Sequence, residues 1–287
     1  MNSLIQPYIA MSAFKYYKTV VNCHGISHFY HFKKDTLNYP QAMAVPDGCI
    51  DILFSFNEGN PSAQIYGSVL QPTLVFDDDV SDYFGVRFYP GGGYKFKDVK
   101  IQEIINNVYS FTELLNAEGL VEKIVTSDNF SDKVNLFTHH YQQHLYKQNI
   151  DMNPMTMKEF MLNKIMATNG QIRVGELAAA TGYSERYVNS KFIEYFGIRP
   201  KVFCKIIRFQ NVLNQLKFEN KGLDSNSLIH VANDAGYFDQ AHMYKDFSEF
   251  SSQTPGQYMK LLKKTDYTNK LILVNNSDFL VKSLLDD

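Results

Sequence analysis

The feature that most constrains this chain is an internal repeat in its C-terminal third. The segment LAAATGY at 177–183 recurs as VANDAGY at 231–237, an offset of 54 residues. The second copy then gains one residue, so that Phe192 matches Phe247, and a proline follows eight residues after each phenylalanine. A pattern that occurs twice in this way predicts two copies of one supersecondary unit.

Each copy has the pattern of two short helices joined by a glycine turn. In the first copy, Leu177 lies on the apolar stripe of a helix that Gly182 ends, because glycine tolerates the left-handed conformation at a helix C-terminus. Ser184 can cap the next helix, in which Val188 and Phe192 face inward. Two helices in this arrangement are typical of the helix-turn-helix motif.

The outward face of each second helix is polar and carries side chains suited to DNA bases. It presents Arg186, Asn189 and Ser190 in the first copy, and Gln240, Ala241 and Lys245 in the second. In the major groove arginine can pair with guanine, asparagine or glutamine with adenine, and alanine can meet a thymine methyl. Two such faces favour DNA reading, and the alternative is that both are solvated faces of a helical bundle.

The segment between the copies supplies the spacing that two DNA-reading helices need. A helix from Pro200 to about Phe218 spans roughly 28 Å at 1.5 Å per residue. It could hold the second helices of both units about one duplex turn apart, near 34 Å. Basic residues nearby could set the register on phosphates, namely Lys191, Lys201, Lys205 and Arg208.

Residues 161–261 resemble the DNA-binding domain of the AraC/XylS family of bacterial transcription regulators. The resemblance rests on IRVGELAAATGYSERYVNSKFIEYFGIRPKVF in the first unit and SLIHVANDAGYFDQAHMYKDFSEFSSQTPGQYMK in the second. It implies base contacts from Arg186, Asn189 and Ser190, and from Gln240, Ala241 and Lys245. The sequence departs from the family where Ser248 and Ser251-Ser252 replace a glycine and a basic residue. The second helix of the second unit is also poorer in basic residues than that of many family members.

The N-terminal half has a β-rich pattern instead. Runs such as HGISHFYHF, GCIDILFSF and DYFGVRFY are separated by proline and glycine turns and suggest a small barrel or sandwich, and helical periodicity begins near Lys100. We therefore predict an α+β chain: a β-rich, barrel-like domain with appended helices at 1–150, a linker at 149–156, an all-α DNA-binding domain at 157–264 and an extension at 265–287. The extension could pack on the N-terminal domain or pair with another chain.

The N-terminal domain offers one candidate effector site. VPDGCIDILFSF and GVRFYPGGG resemble an uncharacterised domain often attached to such regulators, which implies effector sensing or dimerisation. Asp47, Cys49 and Asp51 share one side of an extended stretch and could line a barrel mouth. The alternative is a hairpin turn with Cys49 buried as a small hydrophobe. The sequence offers no nucleophile–base pair and no set of metal ligands, so we expect neither an enzyme nor a bound metal or cofactor.

Composition and charge fit this division. The net charge of −2 combines 11 Lys and Arg against 16 Asp and Glu in residues 1–157, 15 against 10 in residues 158–264 and 2 against 4 in residues 265–287. The positive balance favours nucleic acid as the partner of residues 158–264 only. The N-terminus lacks an export signal, no apolar run reaches the ~18 residues of a membrane helix, and the three cysteines suit a reducing cytosol.

These patterns predict a cytoplasmic, sequence-specific DNA-binding transcription regulator controlled by a small molecule. Double-stranded DNA is the expected partner, together with RNA polymerase if the protein is an activator and a second copy if it dimerises. The alternative is a small-molecule-binding or catalytic β-barrel joined to a helical protein-interaction module.

Overall fold

The structure is a computed structural model that describes residues 4–36, 42–57, 61–75, 80–96, 99–147, 156–218 and 225–275. The predicted linker lies outside these ranges except for Thr156, as do the last twelve residues of the chain. None of the helices in these ranges is long and apolar enough to cross a bilayer.

Seven strands form the main sheet. They are β1 (Ala13–Cys23), β2 (Ile26–Lys34), β4 (Ile50–Ser55), β5 (Ser62–Tyr66), β7 (Asp82–Phe88), β8 (Val108–Ser110) and β9 (Leu271–Leu273), and β3 (Met43–Ala44) pairs with β6 (Thr73–Leu74) in a separate two-stranded sheet. The order of the main sheet is β8-β5-β4-β7-β2-β1-β9, so within the described residues it is open, with β8 and β9 at its edges. All pairs in it are antiparallel except β1 with β9. The β-rich character of this domain is confirmed.

One face of the sheet is covered by four helices from residues 101–147. These are α2 (Ile101–Ile104), α3 (Phe111–Leu115), α4 (Glu118–Thr126) and α5 (Phe130–Lys147). Phe137 of α5 packs edge-on against Phe29 and Phe54 of the sheet, with ring centroids 5.8 and 6.1 Å apart. Aromatic rings pair favourably in this geometry, so the many phenylalanines of the sequence serve here as core.

The C-terminal part is all-α, as predicted. Its helices are α6 (Met157–Ala167), α7 (Val174–Thr181), α8 (Glu185–Phe196), α9 (Pro200–Phe218), α10 (Ser225–Asp234), α11 (Gln240–Ser251) and α12 (Pro255–Lys264). The pairs α7–α8 and α10–α11 are the two units of the repeat, and α9 is the long helix between them. Gly182 and Gly236 both adopt positive φ angles, 73° and 77°, at the turns inside the two units.

The other face of the sheet packs on the helical part through a short helix, α1 (Pro7–Met11), and through α9. A single apolar cluster contains Tyr30 and Leu53 of the sheet together with Phe203 and Phe209 of α9. At Gly48 an added Cβ would lie 2.5 Å from the Phe203 ring, so only glycine allows α9 to approach this closely. The two parts of the chain therefore share one core.

The described part of the C-terminal extension, residues 265–275, packs back on the N-terminal sheet. Helix α13 (Tyr267–Lys270) leads into β9, which pairs in parallel with Tyr16 to Lys18 of β1. The Val274 N–H donates to the Lys18 carbonyl at 2.9 Å, and Lys270 Nζ donates to the Met11 carbonyl at 2.7 Å. Residues 265–275 thus have the first of the two arrangements that the sequence left open, and pairing with another chain stays a prediction.

Candidate nucleic-acid interface and buried ion cluster

The first unit presents its predicted reading face to solvent. Ser184 caps α8 by accepting the Tyr187 N–H at 3.3 Å, and the core side of the helix is fully buried. Arg186 and Ser190 are exposed on the opposite side. Asn189 is half-buried, and its Nδ2 donates to the Glu185 carbonyl at 2.9 Å. The arrangement leaves the Arg186 guanidinium accessible, while Asn189 already uses one amide N–H within the helix.

The second unit repeats this geometry on α11. Asp239 caps the helix by accepting the His242 N–H at 2.7 Å, and Met243 faces the core. Ala241 and Lys245 are exposed, and Gln240 is half-buried. Each set of three predicted base-contacting residues therefore lies on the outer side of its helix.

The three lysines predicted to contact phosphates differ in their surroundings. Lys201 is exposed at the start of α9. Lys191 Nζ lies 2.8 Å from Glu194 Oε2, one turn along the same helix. Lys205 Nζ lies 3.2 Å from Oδ1 of the buried Asp246 and so joins α9 to α11. Because Asp246 needs a counter-ion, Lys205 is tied to the protein more firmly than the sequence indicated.

Arg208 is also engaged inside the protein. Its Nη1 donates to the Gly170 carbonyl at 2.7 Å, and its guanidinium lies 5.5 Å from the centre of the Tyr237 ring. The side chain thus connects the α6–α7 turn with the turn of the second unit. This differs from the phosphate contact considered for Arg208 on sequence grounds.

The N-terminal domain holds a buried ion cluster, formed by Asp47, Asp51 and Arg87. Arg87 donates from Nη1 to Asp47 Oδ2 at 2.7 Å, and from Nη2 and Nε to the two oxygens of Asp51 at 2.7 and 3.0 Å. The side chains of Arg87, Asp47 and Asp51 are only 5%, 4% and 14% exposed. Tyr30 and Gln6 donate further hydrogen bonds, to Asp51 Oδ1 at 2.9 Å and to Asp47 Oδ2 at 2.8 Å.

Burial shapes the protonation of this ion cluster. It raises the pKa of Asp47, although the positive charge of Arg87 opposes the shift. Burial would lower the pKa of Arg87, but the charges of Asp51 and Asp47 outweigh it and hold that pKa well above its ordinary value. Burial, assisted by the charge of Asp47, also raises the pKa of the Cys49 thiol well above its ordinary value. Cys49 is therefore an unreactive thiol.

All three residues of the predicted effector site line one small pocket beside the ion cluster. The pocket has a volume of about 40 Å³, space for only a few water-sized groups. Its walls also include Gln6, Ile9, Tyr30, Ala44, Leu53, Tyr66, Gly67, Ser68, Val69, Val75 and Arg87. Cys49 is buried, as the alternative interpretation of this stretch expects, and the effector site stays a prediction.

A hydrogen-bonded contact connects this region with α9. Gln210, 1% exposed, accepts the Ile5 N–H at 2.8 Å and donates from Nε2 to the carbonyls of Pro46 at 2.9 Å and Ile5 at 3.2 Å. Gln6 and Asp47, which follow Ile5 and Pro46 in the chain, bond to each other in the ion-cluster network. The ion cluster and the long helix thus hold the same two backbone segments.

Sequence reasoning missed Arg87 and Gln210. Arg87 had a usable signal, since an arginine between Val86 and Phe88 in a strand buried on both faces requires a partner. That partner is Asp51, which pairs directly with Arg87 across β4 and β7. Gln210 had no such signal, because a single glutamine in a helix does not show which segment it will meet.

Comparison with known proteins agrees with the geometry. Residues 177–261 match the model of a helix-turn-helix domain family, and residues 24–110 match a domain of unknown function, DUF6597. Comparison with proteins of curated function finds no match. The helical part is thus a DNA-binding helix-turn-helix domain.

Solved structures similar to this chain include ToxT of Vibrio cholerae O395, at 13% identity over 88% of this chain and 95% of that one, with a TM-score of 0.42. Another is ToxT of strain SCE256 with an unsaturated fatty acid bound, at 13% identity over 87% and 91%, with a TM-score of 0.40. The helix-turn-helix domain of this chain is of the AraC type, a type found in DNA-binding transcription regulators.

Proposed function

We propose that the two helix-turn-helix units read adjacent segments of the major groove on one face of a duplex. The observation that carries the proposal is the matched geometry of α8 and α11. Both are capped at the N-terminus and turn a buried apolar stripe inward and a polar face outward. Arg186, Asn189 and Ser190 contact bases in one segment, and Gln240, Ala241 and Lys245 do so in the next.

Phosphate contacts set the register of this complex. Lys201 is the first candidate, because it is exposed at the N-terminus of α9. Lys191 and Lys205 also contact phosphates, and each must first release its ion pair with a carboxylate of the protein. This release is easier for Lys191, since Glu194 is exposed, than for Lys205, whose partner Asp246 is buried. We expect Lys201 to make the largest phosphate contribution of the three.

The N-terminal domain controls the DNA-binding domain in this proposal. A small effector enters at the pocket lined by Asp47, Cys49 and Asp51 and changes the hydrogen bonds of the ion cluster. The pocket has to widen to admit it, because its present volume is about 40 Å³. The effector favours whichever arrangement of the helical part it binds better, by as much as its affinities for the two arrangements differ. Gln210 supports this role, because it holds the backbone of Ile5 and Pro46 next to the ion cluster.

Two protein partners belong to the same proposal. A promoter-bound activator of this class contacts RNA polymerase, and the N-terminal domain is the part that would pair two copies of the chain. Sedimentation of the free protein and of its DNA complex distinguishes one copy per site from two.

Selection of duplexes from a random-sequence library tests the proposal directly. The full chain should enrich a recurring sequence, and binding to it should weaken steeply as salt is raised, because each neutralised phosphate releases counterions. The selected sequence should extend over two major-groove segments about one helical turn apart. If no duplex competes better than random DNA, the proposal fails. If a site is found but only one segment of it is specific, the reading by two units fails.

A further inference from the structure

Phe238 is the most exposed large apolar residue in the described part of the chain, at 91%. It lies in the turn of the second helix-turn-helix unit, directly before the cap residue Asp239. Its neighbour Tyr237 is only 5% exposed. An apolar ring left almost entirely in water, at the entrance to a recognition helix, requires a physical reason.

The extra residue of the second unit produces this exposure. In the first unit Tyr183 directly precedes the cap residue Ser184, is 53% exposed and stacks on Tyr187 with ring centroids 4.7 Å apart. In the second unit the equivalent tyrosine, Tyr237, turns inward and lies edge-on to His242 at 5.2 Å. Phe238 is the inserted residue, and it takes the outward position before the cap.

The fold gains nothing from a phenylalanine at this position. An apolar residue just before a helix cap usually packs on the residue five positions later, forming a hydrophobic staple. That residue is Met243, which is fully buried in the core. At 91% exposure Phe238 makes no such contact, so the ring stays available to a partner molecule.

We infer that Phe238 contacts DNA and packs its ring on a thymine methyl in the major-groove segment read by α11. The inference rests on the proposed function. Residues at the N-terminal end of a recognition helix contact base edges, and phenylalanine is among the side chains that meet the thymine methyl. Gln240 and Ala241 begin the helix two and three residues later, so Phe238 adds an apolar contact beside their polar ones.

Thymine-to-deoxyuridine replacement in the selected duplex tests this contact, because uracil differs from thymine by one methyl. Wild-type protein should lose about fourfold in affinity when one particular thymine is replaced, the effect of withdrawing one methyl from an apolar contact. Phe238→Ala should bind the thymine duplex more weakly and show no difference between thymine and uracil at that position. Phe238→Leu should restore part of the difference.

Controls separate this contact from a general loss of binding. Tyr146, 73% exposed on α5, provides Tyr146→Ala as a variant that also removes an exposed aromatic ring. It should keep both the affinity and the uracil effect. Thermal unfolding of Phe238→Ala should match wild type, since no folding contact is lost.

Each remaining outcome overturns the inference. If Phe238→Ala binds the thymine duplex as tightly as wild type, the ring serves another partner, such as a protein surface. If every uracil replacement affects wild type and Phe238→Ala equally, the ring does not meet a thymine methyl. If wild-type protein selects no site at all, the proposed function itself has failed, which is a distinct result.

Discussion

Replacing Arg87 with methionine removes the only cation of the ion cluster while leaving an apolar side chain. The guanidinium makes three hydrogen bonds of 2.7, 2.7 and 3.0 Å to carboxylates. Bonds to charged groups contribute about 1.5–3 kcal/mol each. The ion pair also costs desolvation, so the measured loss on breaking a buried pair is nearer about 3–5 kcal/mol. We expect Arg87→Met to lower the free energy of unfolding by that amount at pH 7.

The pH dependence of this loss gives a second signature. Without Arg87, Asp47 and Asp51 face each other in a buried site, which raises the pKa of their carboxyl groups in the folded protein. A carboxyl whose folded pKa exceeds its unfolded value binds more protons in the folded state, so stability rises as pH falls through the folded pKa. The deficit of Arg87→Met should therefore be smaller at pH 5 than at pH 8.

Urea unfolding followed by far-ultraviolet circular dichroism measures both effects. The matched control is the triple variant Asp47→Asn, Arg87→Met, Asp51→Asn, which removes all three charges and should recover most of the lost stability. A loss below about 1 kcal/mol would refute the reasoning. A deficit that does not change with pH, or a triple variant no more stable than Arg87→Met, would refute it equally.

Three further predictions concern the two domains. Arg186→Ala should reduce the binding free energy on the selected DNA site by about 1–3 kcal/mol and relax the sequence preference at one base. Lys201→Ala should weaken binding to all duplexes alike. If the two variants have equal effects on specific and random DNA, both roles are contradicted. Gln210→Ala leaves buried backbone groups unpaired, so it should lower the free energy of unfolding by about 1–3 kcal/mol and speed hydrogen exchange at the Ile5 amide. Unchanged exchange at Ile5 would disprove this prediction. Burial, with the charges of Arg87 and Lys217, lowers the pKa of Lys18 to about 8. Because protonated Lys18 opposes folding below that pH, Lys18→Met should stabilise the protein by up to about 3 kcal/mol at pH 7. The gain in stability should fade as the pH rises from about 8 to 10.5. A gain that does not change with pH would contradict this prediction.

The helical part was predictable because its signals are local. Gly182 has the left-handed conformation that its position required, and Ser184 caps the helix for which it was suggested. Gly236 and Asp239 do the same in the second unit. A helix cap, a glycine turn and a 3.6-residue apolar period all depend on residues within one or two turns of one another. The repeat then provided a second, independent instance of the same pattern.

The N-terminal sheet was less predictable because its partners are distant in sequence. Strand β1 carries two lysines and is not a plain apolar run. Its pairing with β2 and β9 holds it in the sheet. The short β9 in the extension has a partner more than 250 residues away. Gln210 and Ile5 are 205 residues apart. No periodicity in a single segment specifies such contacts, since they depend on which elements the fold brings together.

The contacts between the two domains limit how the N-terminal part can control DNA binding. At the end of α8, an added Cβ on Gly197 would lie 2.8 Å from the Ile105 side chain, so that end of the helix abuts the N-terminal domain. Gln210 holds the middle of α9, and β9 joins the far end of the helical part to β1. The N-terminal ends of the recognition helices, with Arg186 and Phe238 exposed, make none of these contacts. The N-terminal domain therefore leaves the N-terminal ends of α8 and α11 uncovered. Under the proposed function, it controls DNA binding by changing the relative placement of the two units through α9.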